Sequence, residues 1–188
     1  MTDFKELVRK NRSYRRFDED ERLSRETLAD LVDTARLTPS GGNRQPLRFR
    51  LITERGECAA VYDTLGWAGY LPDWDGPVPG ERPAAYVILL GRDGVNSATD
   101  EGIVAQTLLL AAAAKGYGGC MLGNVKRDRL AQAIPLPEGA VIKLVIALGK
   151  PREEVVIDEI PADGDIRYYR EPNQVHHVPK IALDDLIV

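Results

Sequence analysis

The sequence predicts an α+β or α/β domain in which a modest sheet is covered by helices. Segments with apolar residues at helical spacing alternate along the chain with short apolar runs that are typical of strands. The chain has 188 residues, of which 44% are hydrophobic and 29% are charged. Because this composition is typical of one globular domain, we expect residues 1–188 to fold as a single unit that needs neither a disulfide nor a structural metal.

The first third of the chain contains three predicted helices and one strand. Residues 4–11 carry apolar side chains at i, i+3 and i+4, which indicates a short helix. Ser24 is a typical N-cap residue, and the apolar stripe that follows it predicts a helix over 25–37. Apolar residues alternate with arginines over 47–51, as expected for a half-buried strand. A weaker helix is predicted over 55–63.

The longest apolar block, Ile103 to Ala114, predicts a helix whose N-cap is Ser97 or Thr99. This block is apolar around nearly its whole circumference, so we expect it to be buried on every side. In a chain of this size, we expect a second subunit to cover one of those sides. Further strands are predicted over 84–90, 120–122 and 141–148, and a short helix over 126–133.

Two segments depart from this alternation. Residues 66–83 hold Trp67, Tyr70 and Trp74 among prolines and glycines. Because a loop has no core of its own, we expect these aromatic residues either to dock onto the domain or to form a lid or substrate wall over a flat ligand. Residues 152–188 form a long polar arm, which we expect to wrap a neighbouring subunit.

The composition argues against several classes of protein. Lys and Arg total 25 against 29 Asp and Glu, and this net charge of −4 disfavours nucleic acid as the partner. The two cysteines form no CxxC pair and are expected to be reduced thiols. The N-terminus lacks the apolar run of a signal peptide, and no stretch reaches the roughly 20 apolar residues that cross a bilayer. We therefore expect a cytoplasmic protein with no membrane partner.

Side chains at catalytic or metal-binding spacing are scarce. His176 and His177 are adjacent, and no Cys, Asp or Glu lies at ligand spacing around them, so no metal site is predicted. The GxSxG, P-loop, HExxH and GxGxxG motifs are all missing from the sequence. We therefore name no catalytic side chain.

Three polar or glycine-rich strips occur where the predicted elements break. The strip Arg12–Arg16 combines guanidinium groups with a hydroxyl, which suits a phosphate group; a solvated basic turn is the alternative. Ser40–Pro46 offers a hydroxyl and two amides, which suit a polyol or the polar edge of a heterocycle; an ordinary Gly/Pro turn is the alternative. The glycines of Gly118–Gly123 would let backbone N–H groups approach a planar ligand.

Together with a fourth segment, His176–Lys180, these three strips resemble the nitroreductase family of flavoproteins. The resemblance depends on the following motifs, which match in order and spacing across essentially the whole chain: Arg12-Ser13-x-Arg15-x-Phe17, Pro39-Ser40-x-x-Asn43-x-Gln45-Pro46-x-x-Phe49, Gly116-Tyr-Gly-Gly-Cys-Met-Leu-Gly123 after the apolar helix, and His176-His-Val-Pro-Lys180.

The resemblance implies a nitroreductase-like α+β fold, with a central, mostly antiparallel sheet flanked by helices. It also implies a domain-exchanged homodimer with a C-terminal arm and two FMN molecules at the subunit interface. The FMN phosphate and ribityl end would be held by Arg12, Ser13, Arg15 and Lys180. The ribityl chain and the flavin would be lined by Ser40, Asn43 and Gln45 of the other subunit. The backbone N–H near flavin N5 would come from Leu122-Gly123.

The chain departs from the family's pattern at three positions. Asn11 stands where many relatives have a further arginine, and Ile181-Ala182 follows the lysine where many have an arginine. These two departures imply weaker contacts to the phosphate. Leu47 replaces a tryptophan, which implies different packing near the loop.

The implied activity is that of an FMN-dependent oxidoreductase. NAD(P)H would reduce the flavin and leave, and an electron-poor acceptor such as a nitroaromatic or a quinone would then bind at the same face. The alternatives are a different reaction on the same fold, namely substrate dehydrogenation, flavin fragmentation or dehalogenation, and a non-catalytic flavin-binding protein. The sequence does not distinguish NADH from NADPH as the donor.

Overall fold

A five-stranded antiparallel sheet is the centre of this computed structural model, which describes residues 3–188. The strands are β1 (Phe17–Asp18), β2 (Arg48–Ile52), β3 (Ala85–Arg92), β4 (Gly118–Leu122) and β5 (Ala140–Pro151). Their order is β1–β5–β3–β2, and β4 also pairs with β5. Every pair in this sheet is antiparallel, which confirms the sheet that the resemblance implies.

Helices cover both faces of the sheet. They are α1 (Phe4–Lys10), α2 (Arg25–Ala35), α3 (Arg55–Tyr62), α4 (Ala98–Ala114) and α5 (Arg127–Ala133). Tyr86, Ile88 and Leu90 of β3 pack with α3 and α5. The residues that alternate with them pack on the other face with α2 and α4. Because β3 is buried on both faces, its sequence is a continuous apolar run rather than an alternating one.

The predicted helices and strands are confirmed, although their ends shift by a few residues. At the start of α2, Ser24 Oγ accepts the backbone N–H of Thr27 at 3.1 Å, as expected of an N-cap. Ser97 is the residue before α4, and its hydroxyl donates to Glu101 Oε1 at 2.6 Å. Thr99, the other candidate cap, lies inside the helix.

Helix α4 is only partly buried within one chain. Val104 and Leu108 are buried in the same cluster as residues of α2 and of the sheet. Ile103, however, is 36% exposed, and Gln106 is also exposed. Within one chain, α2 and the sheet thus cover only part of the helix, and the expectation that a second subunit covers another side stays a prediction.

The C-terminal arm contains a second sheet of three strands. These are β6 (Val155–Ile160), β7 (Tyr169–Arg170) and β8 (His176–Ile181), in the order β6–β8–β7. The β6–β8 pair is parallel and β7–β8 is antiparallel. This sheet packs on its own chain through contacts with Arg15 and Glu153. The wrapping of a neighbouring subunit by residues 152–188 stays a prediction, and the end of the arm has exposed apolar side chains at Leu186, Ile187 and Val188.

The structure also bears on the predictions about membrane spans and cysteines. Residues 3–188 contain no helix with both the length and the apolar character that a membrane span requires. Cys58 and Cys120 are both buried and unpaired. Burial raises the pKa of both thiols, so neither is poised as a reactive thiolate near neutral pH.

Candidate functional site

The arginine-rich strip between α1 and β1 lies along strand β4. Tyr14 N–H donates to the carbonyl of Gly119 at 3.0 Å, and Ser13 forms an isolated parallel β-bridge with Gly119. A Cβ on Gly119 would lie 2.4 Å from the carbonyl oxygen of Ala147, and one on Gly118 would lie 2.5 Å from the ring of Tyr14. Gly118 therefore serves the packing of the strip on β4, and Gly119 the packing of β4 against β5 and α4. Gly123, at the end of β4, is exposed and open.

A pocket of about 360 Å³, hereafter the cationic pocket, opens between this strip, α4 and the second sheet. Four residues predicted to hold a phosphate meet there, namely Arg12, Ser13, Arg15 and Lys180. Gln106 and Leu109 of α4 form another part of its lining. Arg15 and Lys180 are far apart in the sequence. They line the same pocket because the second sheet places β8 beside the strip.

The cationic pocket has a strong positive charge. Among the described residues that line it there are three cationic side chains and no carboxylate. Arg12 and Arg15 donate to backbone carbonyls of Val8 and Ser13, but the Nε atoms of both are buried without a partner. Burial lowers the pKa of Arg12, which reflects the cost of holding this cation out of water. Buried cationic donors without acceptors are unfavourable, and an anion is the ligand that this lining would suit.

A buried carboxylate holds the strip in place. Glu153 follows β5 and accepts the backbone N–H groups of Arg15 and, at 3.2 Å, of Arg16. Its other oxygen lies 2.9 Å from Nη2 of Arg170 in β7. Glu153 thus joins the strip to the second sheet. It also orients the backbone of Arg15, whose side chain lines the pocket.

The side chain of Arg16 has a different role from that of Arg15. It forms two hydrogen bonds with Glu81, at 2.7 and 2.5 Å, and does not line the cationic pocket. The bond to Arg16 lowers the pKa of Glu81. Of the arginines in the strip, Arg12 and Arg15 are therefore the ones available to a phosphate.

The Ser40–Pro46 loop adopts an unusual backbone. Asn43 and Gln45 have φ values of 52° and 46°, which L residues rarely adopt. The turn is stabilised by the N–H of Gln45, which donates to Ser40 Oγ at 3.0 Å, and by the Gln45 amide, which donates to Asn43 Oδ1 at 3.0 Å. Such strained residues concentrate at ligand-binding sites. Ser40 and Gln45 line a separate pocket of about 260 Å³, so within one chain they do not meet the cationic pocket.

Comparison with known proteins identifies the family. The sequence profile of the nitroreductase family matches residues 8–69 and 76–150, which include the strip, the Ser40–Pro46 loop, α4 and β4. The chain belongs to the nitroreductase family. The match leaves out residues 70–75 and ends before the second sheet, so His176 and Lys180 lie beyond it.

Members of this family from distant organisms align over most of the chain. A protein of Archaeoglobus fulgidus with the provisional name NADH dehydrogenase/NAD(P)H nitroreductase is 25% identical, over 94% of this chain and 98% of its own. YdgI of Bacillus subtilis, provisionally named an NAD(P)H nitroreductase, is 26% identical over 81% and 90%. A provisionally named nitroreductase of Exiguobacterium sibiricum, solved in complex with FMN, is 22% identical. It superposes with a TM-score of 0.65 over 81% of this chain and 90% of its own, and so has the same fold.

The aromatic residues of the 66–83 segment separate into two groups. Trp67 is buried in the core, with its ring centroid 6.5 Å from that of Trp74, which lies beneath the guanidinium of Arg170. These two side chains dock onto the domain, which was one of the two alternatives for this segment. Tyr70 is half exposed, and its backbone N–H donates at 3.2 Å to the hydroxyl of Tyr168, which lines the cationic pocket. Of the predicted substrate wall, Tyr70 is the residue nearest to the pocket lining.

The sequence did not point to several residues of the candidate site, including Glu153, Tyr168 and Arg170. Nothing in their local sequence marks them, because they act through contacts with distant segments. His176 was noted and set aside as a metal ligand. In extended backbone, its spacing of four from Lys180 places both on one face of a strand, and this signal could have linked them. Among the described residues, no group of three or more potential metal ligands is close enough to hold a metal ion.

Proposed function

We propose that this nitroreductase-family protein is an FMN-dependent oxidoreductase that uses NAD(P)H to reduce electron-poor acceptors, such as nitroaromatics or quinones, in a ping-pong reaction. The observation that supports it best is the cationic pocket, whose lining of two arginines and a lysine without a carboxylate suits the FMN phosphate. The names of the aligned relatives support the donor and the acceptor class.

The described residues fit the phosphate end of FMN. The two arginines and Lys180 would pair with the phosphate oxygens, and the hydroxyl of Ser13 would complete the cradle. When bound, FMN would supply the hydride chemistry, which is why the protein needs no acid or nucleophile of its own. The exposed backbone of Gly123, open at the end of β4, would supply an N–H near flavin N5.

The proposed site needs two copies of the chain. Ser40, Asn43 and Gln45 are proposed to line the ribityl chain and the flavin. In one chain, however, Ser40 and Gln45 lie at a separate pocket from Arg12 and Arg15, and Asn43 does not line the cationic pocket either. A homodimer in which each loop reaches the partner's cationic pocket resolves this separation. The partly exposed side of α4, at Ile103, offers an apolar surface for such an interface.

The residues near the flavin would position the ring and exclude water. Tyr168 lines the cationic pocket, and the ring of Tyr70 packs against it with a centroid distance of 4.9 Å. We retain Tyr70 as a candidate contact for the acceptor. The unpaired thiols of Cys58 and Cys120 fit a reducing compartment, and we place the reaction in the cytoplasm.

Anaerobic half-reactions test this function. Protein reconstituted with FMN is mixed with NADH or NADPH without oxygen, and the flavin absorbance is followed. We expect one or both donors to bleach the flavin, and p-nitrobenzoate or a benzoquinone to restore its colour. Reduction followed by reoxidation with oxygen alone would favour a different reaction on the same fold. FMN that binds but is not reduced by either donor would favour a non-catalytic flavin-binding protein.

A further inference from the structure

One face of strand β8 forms a wall of the cationic pocket. His176, Val178 and Lys180 alternate along this strand, and all three line the pocket. His177 belongs to the opposite face, where its Nδ1 lies 2.9 Å from Asp158 Oδ2 and its ring stacks on Tyr169 with centroids 4.7 Å apart. The two adjacent histidines therefore differ in environment, and only His176 faces the site.

The contact with Arg15 determines which nitrogen of His176 carries hydrogen. Arg15 Nη1 lies 3.4 Å from Nε2 of the fully buried His176 ring. A guanidinium has donors and no acceptor, so Nε2 must accept in this contact. A neutral imidazole then carries its hydrogen on Nδ1. That Nδ1 is buried and has no hydrogen-bond partner, so it is a donor that lacks an acceptor.

The surroundings of His176 disfavour a charged ring. The ring is surrounded by Arg15 of the strip, Arg170 of β7, Tyr168 just before β7, and its neighbour His177. Arg12 and Lys180 line the same pocket. Burial first, and then the positive charges of Arg15 and Arg170, lower the pKa of His176 from 6.5 to about 4. Near neutral pH the imidazole therefore brings a hydrogen bond to the pocket and no charge.

We propose that His176 is a further ligand of the anion in the cationic pocket, to which neutral imidazole donates a hydrogen bond from Nδ1. The inference rests on the proposed function where it takes this anion to be the FMN phosphate. Arg15 is then both a phosphate partner and the residue that fixes the tautomer of His176.

Binding of FMN and of riboflavin, which lacks the phosphate, tests this role in matched variants. His176→Leu removes the donor, and His176→Asn keeps an amide N–H near the position of Nδ1. His177→Leu is the control on the opposite face of β8. We expect His176→Leu to weaken FMN binding by roughly 10- to 100-fold, the usual range for a hydrogen bond to a charged group, and to leave riboflavin binding unchanged. His176→Asn should restore most of the FMN affinity, and His177→Leu should bind like wild type.

Nitrogen NMR of the imidazole in wild-type protein gives a second readout that needs no variant to fold. We expect Nδ1 to be protonated and Nε2 to be bare between pH 6.5 and 8, and inorganic phosphate or FMN to shift the Nδ1–H signal. Over the same pH range, wild type and His176→Asn should show the same pH dependence of FMN affinity. Any one of three results would overturn the proposal. These are an Nε2–H tautomer, an Nδ1 signal that does not move with saturating phosphate or FMN, and wild-type FMN affinity in His176→Leu.

The outcomes separate this inference from the proposed function. If wild type fails to bind FMN while inorganic phosphate still shifts Nδ1–H, the proposed function fails and His176 is a ligand of another phosphorylated molecule. If FMN binds and is reduced and reoxidised as expected, but neither the His176 signal nor FMN affinity in the His176 variants changes, then this inference fails and the proposed function stands.

Discussion

The carboxylate of Glu153 lies 2.9 Å from a guanidinium nitrogen of Arg170, and their side chains are 0% and 9% exposed. The same carboxylate accepts the backbone N–H of Arg15. One buried ion pair thus joins the end of β5, the second sheet and the strip that forms the cationic pocket. Burial lowers the pKa of Arg170, so the pair carries a desolvation cost that its mutual contact must offset.

Removing the charge of Glu153 should destabilise the protein and disturb the pocket. Glu153→Gln leaves the buried Arg170 without a counter-charge, and breaking such a pair typically costs about 3–5 kcal/mol. We expect a loss of this size in urea unfolding, together with weaker FMN binding. The exposed pair of Arg36 and Asp33 is the control, and Asp33→Asn should cost less than about 1 kcal/mol. Equal, small losses in both variants would show that the buried pair does not organise the site.

The side chains of two neighbouring arginines should affect FMN differently. Arg15→Gln removes a cation from the cationic pocket and should weaken FMN by roughly 10- to 100-fold while sparing riboflavin. Arg16→Gln removes a side chain that binds Glu81, so it should lower stability without a selective loss of FMN affinity. Fluorescence titration with both flavins measures the difference. A phosphate-selective defect in Arg16→Gln, or none in Arg15→Gln, would contradict the assignment of the pocket.

Alanine substitutions at Gly119, inside β4, and at Gly123, just after it, should affect stability differently. In Gly119→Ala the new Cβ would lie 2.4 Å from a backbone oxygen, and overpacking of this kind costs about 1–3 kcal/mol or more. In Gly123→Ala the Cβ enters open space, so we expect little change in stability. Urea unfolding of the two variants checks this contrast, which would fail if Gly119→Ala were as stable as wild type.

The stability of the FMN-free protein should fall on acidification through His176. Its pKa in the folded protein is about 4, below the ordinary 6.5, so between these values the unfolded chain binds the proton and the folded chain does not. Stability is then full above pH 6.5 and is lost as the pH falls towards 4, by up to about 3 kcal/mol. Urea unfolding at pH 7 and pH 4.5 should show this loss in wild type and a smaller one in His176→Asn. The same loss in both would assign it to other groups.

The sequence predicts the local elements well, and the site only in part. Helix α2 and strand β3 follow from an N-cap serine and an apolar run, because such signals act over a few residues. The parallel pairing of β6 with β8 and the contact of Glu153 with Arg15 join segments far apart in the chain, and no local pattern encodes them. Arg12, Ser13 and Arg15 were predicted together because their motif is contiguous, whereas Lys180 was predicted only through the resemblance. The spacing of His176 and Lys180 indicates a shared strand face, but the tertiary position of β8 beside the strip is not visible in any local pattern.

The central claim is that the cationic pocket holds the phosphate of a flavin. The absorbance spectrum of freshly purified protein, followed by thermal unfolding with added FMN and riboflavin, tests it most directly. We predict a yellow protein with flavin absorbance, stabilised by FMN more than by riboflavin. A colourless protein whose unfolding temperature does not change with saturating FMN would contradict the claim.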